Sequence, residues 1–322
     1  MTLSLRGRMP LPEHFSGGFD HGDVLGATGR VFVAHTAKDT VEVIDGERLA
    51  LEQTLAGCPE GSGVLCTQDE RPRVFAAARG NGTVLVFDAN TCDLLRGIEV
   101  GPRPNGLAWD PLRGQLLVAD VEQHDGRLVD PETGTFVATV GLPGRPRWCV
   151  YDSPRDRFLV NIREPACVMA LSGENLRPLR RIDGLPNGPH GLDLDLDQAG
   201  QRAFVACDAA TVAVIDLTTD RELGQIPISG EPDAIWWNPR AGRLYVAIGQ
   251  PGGHRGDRRS RSVGGGAGPD GRRCPYHRLR PPAPAAVCVF AKVVSGGGVR
   301  RAVLGGLSLI DAFPTQRVVS TR

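Results

Sequence analysis

Aromatic residues make up only 5% of the chain, with four tryptophans and three tyrosines. No charge of one sign dominates: 37 basic side chains face 37 acidic ones. That balance removes the broad basic field expected of a nucleic-acid or anionic-membrane binder, so neither partner is predicted. No apolar run approaches the ~18 residues of a membrane span. The N-terminal stretch MTLSLRGRMPLPEHFSGG lacks the apolar core of about 7–15 residues that marks a secretory signal, so a cytoplasmic protein is expected. The eight cysteines contain no CxxC pair, which leaves a disulfide framework or zinc cluster without support. Cys66, Cys149 and Cys207 lie in apolar strand patterns and read as buried thiols. There is no GxSxG, no HExxH, no Walker loop and no GxGxxG between a strand and a helix, so no familiar nucleophile or nucleotide motif is present. Helical periodicity of useful length is missing as well.

What is abundant is Gly (42) and Pro (25), spread evenly, which implies many turns and short strands. A β-rich anchor recurs as RVFVA at Arg30, RVFAA at Arg73, QLLVA at Gln115, RFLVN at Arg157, RAFVA at Arg202 and RLYVA at Arg243, at spacings of 43, 42, 42, 45 and 41. About ten residues before it comes a second element: PNGLAWDP (104–111), PRWCVYDSP (146–154), PHGLDLDLD (189–197) and PDAIWWNP (232–239). A third follows it, TVEVID (40–45), TVLVFD (83–88) and TVAVID (211–216), and a fourth is a short run such as RGIEVG. Four short strands per unit, repeated six times, predict an all-β fold, a β-propeller of four-stranded blades, because one such sheet buries its faces only by stacking on its neighbours. Glu42, alternating with apolar residues, suggests a strand toward the outside.

The pattern breaks near Gly252, where a Gly/Arg/Pro-rich stretch begins. Read one nucleotide out of phase, residues 254–259 can encode Ile-Glu-Val-Ile-Asp. Residues 273–282 can encode Gly-Ala-His-Thr-Ile-Ala-Phe-Asp-Pro, and 285–290 can encode Arg-Leu-Tyr-Val-Phe. The three matches fall in register, so a degenerate, frameshifted seventh blade is inferred. The expected organisation is an N-terminal extension (1–19), six blades (20–250) and a degenerate seventh blade with tail (251–322).

The segments GRVFVAHTAKDTVEVID and QRAFVACDAATVAVID resemble YVTN-type propeller repeats, and the resemblance implies the fold more than any activity. PNGLAWDP and PDAIWWNP are more loosely similar to gluconolactonase- and regucalcin-like propellers. There, an Asn in Pro-Asn-Gly and an Asp in Pro-Asp-Gly help hold a divalent metal in the channel; Asn105 and Asp233 match those positions. The first-blade Glu of that family has no counterpart in HFSGGFDHGD.

The element before the anchor should be the innermost strand, its start facing the channel mouth. One register then gathers Asp20-His21, Ser62, Asn105, Arg147, His190 and Asp233. His21, Asn105, Arg147, His190 and Asp233 are the candidate ligand-binding residues, with Asn105, His190 and Asp233 as candidate ligands of a divalent metal ion. Polar side chains at wet strand ends also occur with no function. His14, His35 and His124 read as loop or strand residues, and Trp109, Trp148, Trp236 and Trp237 as filling between blades. Two functions follow: a monomeric module binding a small molecule or protein at the channel face, or a metal-dependent lactonase-like hydrolase with its site in the channel. A blade-rim scaffold ranks below both.

Overall fold

A computed structural model of the chain describes residues 18–197, 201–251 and 288–291. Six sheets lie in sequence order. Blade 1 contains β1 (Gly22–Leu25), β2 (Arg30–His35), β3 (Thr40–Asp45) and β4 (Ala50–Ala56). Blade 2 contains β5 (Gly61–Cys66), β6 (Arg73–Ala78), β7 (Thr83–Asp88) and β8 (Leu94–Glu99). Blade 3 contains β9 (Pro104–Asp110), β10 (Gln115–Asp120), β11 (Asp125–Asp130) and β12 (Thr135–Gly141). Blade 4 contains β13 (Pro146–Asp152), β14 (Arg157–Ile162), β15 (Cys167–Ser172) and β16 (Pro178–Ile182). Blade 5 contains β17 (Pro189–Asp195), β18 (Arg202–Cys207), β19 (Thr211–Asp216) and β20 (Arg221–Pro227). Blade 6 contains β21 (Gly230–Asn238), β22 (Arg243–Pro251) and β23 (Cys288–Ala291).

Each of the first five blades is a four-stranded antiparallel meander. The protein is a β-propeller, and the recurring anchor is the second strand of every blade. Blade 6 differs. Its third strand, β23, runs parallel to β22, pairing Tyr245 with Cys288 and Val246 with Val289. A parallel partner needs a long crossover, unlike the three-to-six-residue hairpins of the other blades. The rest of the expected seventh blade, the tail, and most of the N-terminal extension lie outside the described residues.

The repeated final Asp of the third strand explains its hairpin. Asp45, Asp88, Asp130 and Asp216 each accept the backbone N–H groups two and three residues ahead. Such Asx turns reverse the chain without a special backbone there. Four residues after the turn-opening position the backbone is left-handed, at Leu49, Cys92, Gly134, Leu176 and Asp220. Only one of the five is glycine, so the turn geometry overrides the usual preference.

The core is a series of seams between blades. Phe32 and Ala34 of blade 1 pack with Val74, Ala76 and Phe87 of blade 2. Phe75 and Val84 meet Leu116 and Val118, and Leu117 and Leu128 meet Phe158 and Val160. Leu159 and Ala170 meet Ala203 and Val205, and Phe204 and Val212 meet Leu244 and Val246. Successive anchor residues thus face alternately backward and forward around the ring, which is why the anchor is apolar at consecutive positions. The outward face of blade 1 carries its own cluster of Val31, Val33 and Ile44, joined by Phe19 and Leu51. Glu42 lies on that face and is fully buried, on a third strand that stands outside the first two, as expected. Its carboxylate lies 3.0 Å from His35 Nδ1 and accepts from the Thr40 and Thr54 hydroxyls at 2.6 Å each. Burial opposes its ionisation, but these donors hold it below the ordinary value. Cys58, Cys66, Cys92, Cys149, Cys167 and Cys207 are buried free thiols, as expected.

Candidate functional site

The innermost strands β1, β5, β9, β13, β17 and β21 contact one another in succession and line the channel. Their starts, the ends of the second strands and the loops that follow share one rim. At that rim the inner-strand register is interrupted at the predicted positions. The ladder skips Ser62 and Gly63 between Gly61 and Val64, Arg147 and Trp148 between Pro146 and Cys149, and His190 and Gly191 between Pro189 and Leu192. It skips Asp233 and Ala234 between Pro232 and Ile235, and shifts beside Asn105 in blade 3. β-Bulges re-aim side chains, and here each one falls at the position that breaks from the apolar strand pattern. Neighbouring strands approach backbone to backbone: a Cβ on Gly63 would meet the Asn105 carbonyl at 2.1 Å, and one on Gly106 the Arg147 carbonyl at 2.2 Å. Only glycine fits there.

The five predicted residues come together in one network spanning all six blades. His21 Nδ1 lies 2.9 Å from Asp20, and Asp20 accepts from Arg79 at 2.8 Å. Arg79 also donates to Asn105 Oδ1 at 3.3 Å. Across the channel the His21 ring meets Trp148 edge-on, centroids 4.2 Å apart. Beside Trp148, Arg147 donates to His190 Nε2. The opposite nitrogen, His190 Nδ1, lies 3.2 Å from Asp208, which also pairs with Arg163 at 2.6 Å. Asp233 lies 3.9 Å from His190 Nε2. Ser62 is committed to the blade seam, donating to Ala77 and Pro104 carbonyls.

This arrangement fixes protonation states. Because Nε2 accepts from a guanidinium, the His190 proton sits on Nδ1, facing Asp208. Burial, aided by the Arg147 charge, holds its pKa below the usual histidine value, so the ring is neutral. Asp208 is held below the carboxylate range because the His190 and Arg163 contacts outweigh its burial. Burial, then repulsion from Arg145 and Arg163, brings Arg147 down to about 10. Two buried atoms, His21 Nε2 and Arg147 Nε, have no hydrogen-bond partner. A small cavity lined by His21, Gly63, Asn105 and Trp148 lies beside the first of them.

The donor set suits a divalent metal poorly. Of the three candidate metal ligands, Asn105 and His190 present Oδ1 and Nε2 to a guanidinium each. A lone pair turned to a cationic donor is not available to a second cation, and the donor places positive charge where the metal would sit. Among the described residues no group of three His, Cys, Asp or Glu side chains is placed to hold a metal ion.

Arg79, Arg145, Arg163 and Asp208 were missed from the sequence. Arg79, Arg163 and Asp208 each follow an anchor strand, and antiparallel pairing returns that strand's end to the rim where the inner strand began. The readable signal was therefore the residue just after each anchor. Trp148 meets His21 as well as packing between blades, and Trp236 is exposed at 43%, stacked on Tyr245, rather than filling an interface. LDLDLD serves strand and turn chemistry. Asp193 accepts the backbone N–H groups of Leu194 and Trp237, and Asp195 pairs with Arg202.

No family model matches the chain, and no curated protein does. Among solved structures it is similar to a chain in a crystal structure of a mitotic checkpoint complex, at a TM-score of 0.64 and 14% identity, covering 77% of this chain and 76% of that one. Identity this low speaks to the fold alone. Among the described residues no helix is long and apolar enough to cross a membrane.

Proposed function

We propose that this protein is a binding propeller that takes a small ligand at the bulged channel rim and performs no chemistry of its own. One observation carries the reading: a network from all six blades converges on the rim and still leaves His21 Nε2 and Arg147 Nε buried and unpartnered. An unmade buried hydrogen bond costs about 1–3 kcal/mol, and a ligand seated at the rim would supply the missing partners. Bulges beside these residues, and glycines that bring the strands into contact, agree with a shaped site. The YVTN-like repeats agree with the architecture and leave activity open. The lactonase-like alternative would need Asn105, His190 and Asp233 to turn toward a shared metal.

The test is a ligand screen by thermal shift on the full chain and on His21→Ala. A compound that raises the wild-type Tm in a saturable way, and loses that effect in His21→Ala, supports the reading. A screen in which every hit acts equally on both proteins removes it.

A further inference from the structure

The rim's charges do not cancel. Arg79, Arg103 and Arg163 pair with Asp20, Glu60 and Asp208 at 2.6–2.8 Å. Arg145 and Arg147 have no carboxylate in ion-pair contact among the described residues. Arg147 instead spends one N–H on His190, a neutral acceptor that offsets no charge. Asp20, already paired with Arg79 and His21, and Asp233, which has a contact of its own besides, are the carboxylates that act on Arg147 without touching it. The two guanidiniums thus draw on carboxylates that also serve other groups.

We propose that this rim binds the oxyanion group of a small organic acid or phosphate ester, gripped by Arg147 and Arg145. The assignment rests on the binding reading above and adds the ligand's chemistry. Guanidinium is the side chain best matched to carboxylate and phosphate oxygens, which it meets with two parallel N–H groups. Arg147 is anchored by His190, which in turn is held by Asp208, so its plane is set before a ligand arrives. Arg145 is exposed and adjacent, its carbonyl accepting from the Arg163 backbone. Crowding by the other rim arginines, after burial, lowers the Arg145 pKa too, which a bound anion would reverse. The same guanidinium that makes His190 a poor metal ligand makes the rim an anion site.

The experiment is calorimetric titration of the full chain with inorganic phosphate, with succinate and citrate, and with neutral erythritol as control. Variants are Arg147→Met, Arg145→Gln and, on an outer strand, Arg181→Met. Saturable binding of at least one oxyanion, weakened tenfold or more in Arg145→Gln and Arg147→Met but unchanged in Arg181→Met, is expected. Phosphate binding without carboxylate binding assigns a phosphate ester; the reverse assigns an organic acid. Equal loss in all three variants would reduce the effect to general charge and overturn the proposal. So would wild-type protein that binds neutral screen hits at the rim but no oxyanion, an outcome that leaves the binding reading standing. Saturable binding of zinc or manganese by wild type, abolished in Asp233→Ala, would overturn it in favour of the metal site. Arg145 is exposed, so its variant remains informative if Arg147→Met folds poorly.

Discussion

At the far ends of the inner strands, away from the rim, four blades carry Asp110, Asp152, Asp195 and Asn238, and all four serve the same kind of purpose. Asp110 accepts from Leu112 N–H and Arg113, Asp152 from Arg155 and Arg157, Asp195 from Arg202, and Asn238 from Ala241 N–H. At the rim ends of the same strands the residues are His21, Ser62, Asn105, Arg147, His190 and Asp233. Hardly two are alike, and their contacts cross between blades rather than close a local turn. A repeat position that keeps one chemistry in blade after blade builds the blade. One that stays polar while changing identity is where a ring of near-equal units acquires a single, asymmetric site.

Mutations at the two ends should therefore separate stability from binding. The largest effect is expected at the far end. Asp152 is fully buried and holds Arg157, which reaches on to Asp220 and the Leu217 carbonyl of blade 5. Asp152→Ala would leave Arg157 with Asp220 as its counter-charge but its buried Nε–H unmet, and should cost about 3 kcal/mol in urea unfolding, while the folded fraction keeps the wild-type oxyanion affinity. Gly106→Ala comes next. Its Cβ meets the Arg147 carbonyl at 2.2 Å, so it should lose about 1–3 kcal/mol by overpacking and also disturb the rim. A Gly106→Ala protein with unaltered stability and binding would show that the strands do not approach as described.

Acidity sharpens the contrast at the level between the two ends. Burial, with the charges of Asp23 and Asp195 adding to it, raises the Asp193 pKa to about 7 despite its two backbone N–H bonds. The folded state then holds a proton that the unfolded chain releases near pH 4. Stability supplied by this group is complete below pH 4 and falls as pH rises through 7. Wild type should lose stability relative to Asp193→Asn between pH 4 and 7 and run parallel to it above pH 8, measured by chemical unfolding across that range. The smallest stability effect is expected at the rim. Arg147→Met removes a buried, unpartnered N–H along with the His190 contact, so Tm should move by a few degrees at most, within about 1 kcal/mol, while oxyanion binding is lost. A loss as large as that of Asp152→Ala would make the rim architectural too.

The propeller was legible because the anchor returns every 41–45 residues and its turns are set by local chemistry, such as the Asp that ends each TVxVxD-like strand. The positions of the rim residues were legible for the same reason: His21, Asn105, Arg147, His190 and Asp233 share a register and do meet. The sign of the site was not. Whether His190 Nε2 faces a metal or a guanidinium depends on where Arg147 points, a matter of a few ångströms that no spacing encodes. The burial of Glu42 was not legible, because alternation counts apolar residues and is blind to a carboxylate satisfied by His35, Thr40 and Thr54. Blade 6 departs from the pattern where the sequence does, with β23 entering parallel in place of the antiparallel third strand seen elsewhere.

The most direct test compares one arginine from each end within a single spectrum. The side-chain Nε–H resonances of Arg147 and Arg157 can be followed while phosphate and then succinate are titrated into the full chain, assigned through Arg147→Met and Arg157→Lys. The account predicts that the Arg147 signal shifts and saturates with at least one of the anions, while Arg157, already bonded to Asp152 at 2.8 Å, stays in place. An Arg147 signal that never moves, or that moves only in step with Arg157, would contradict it.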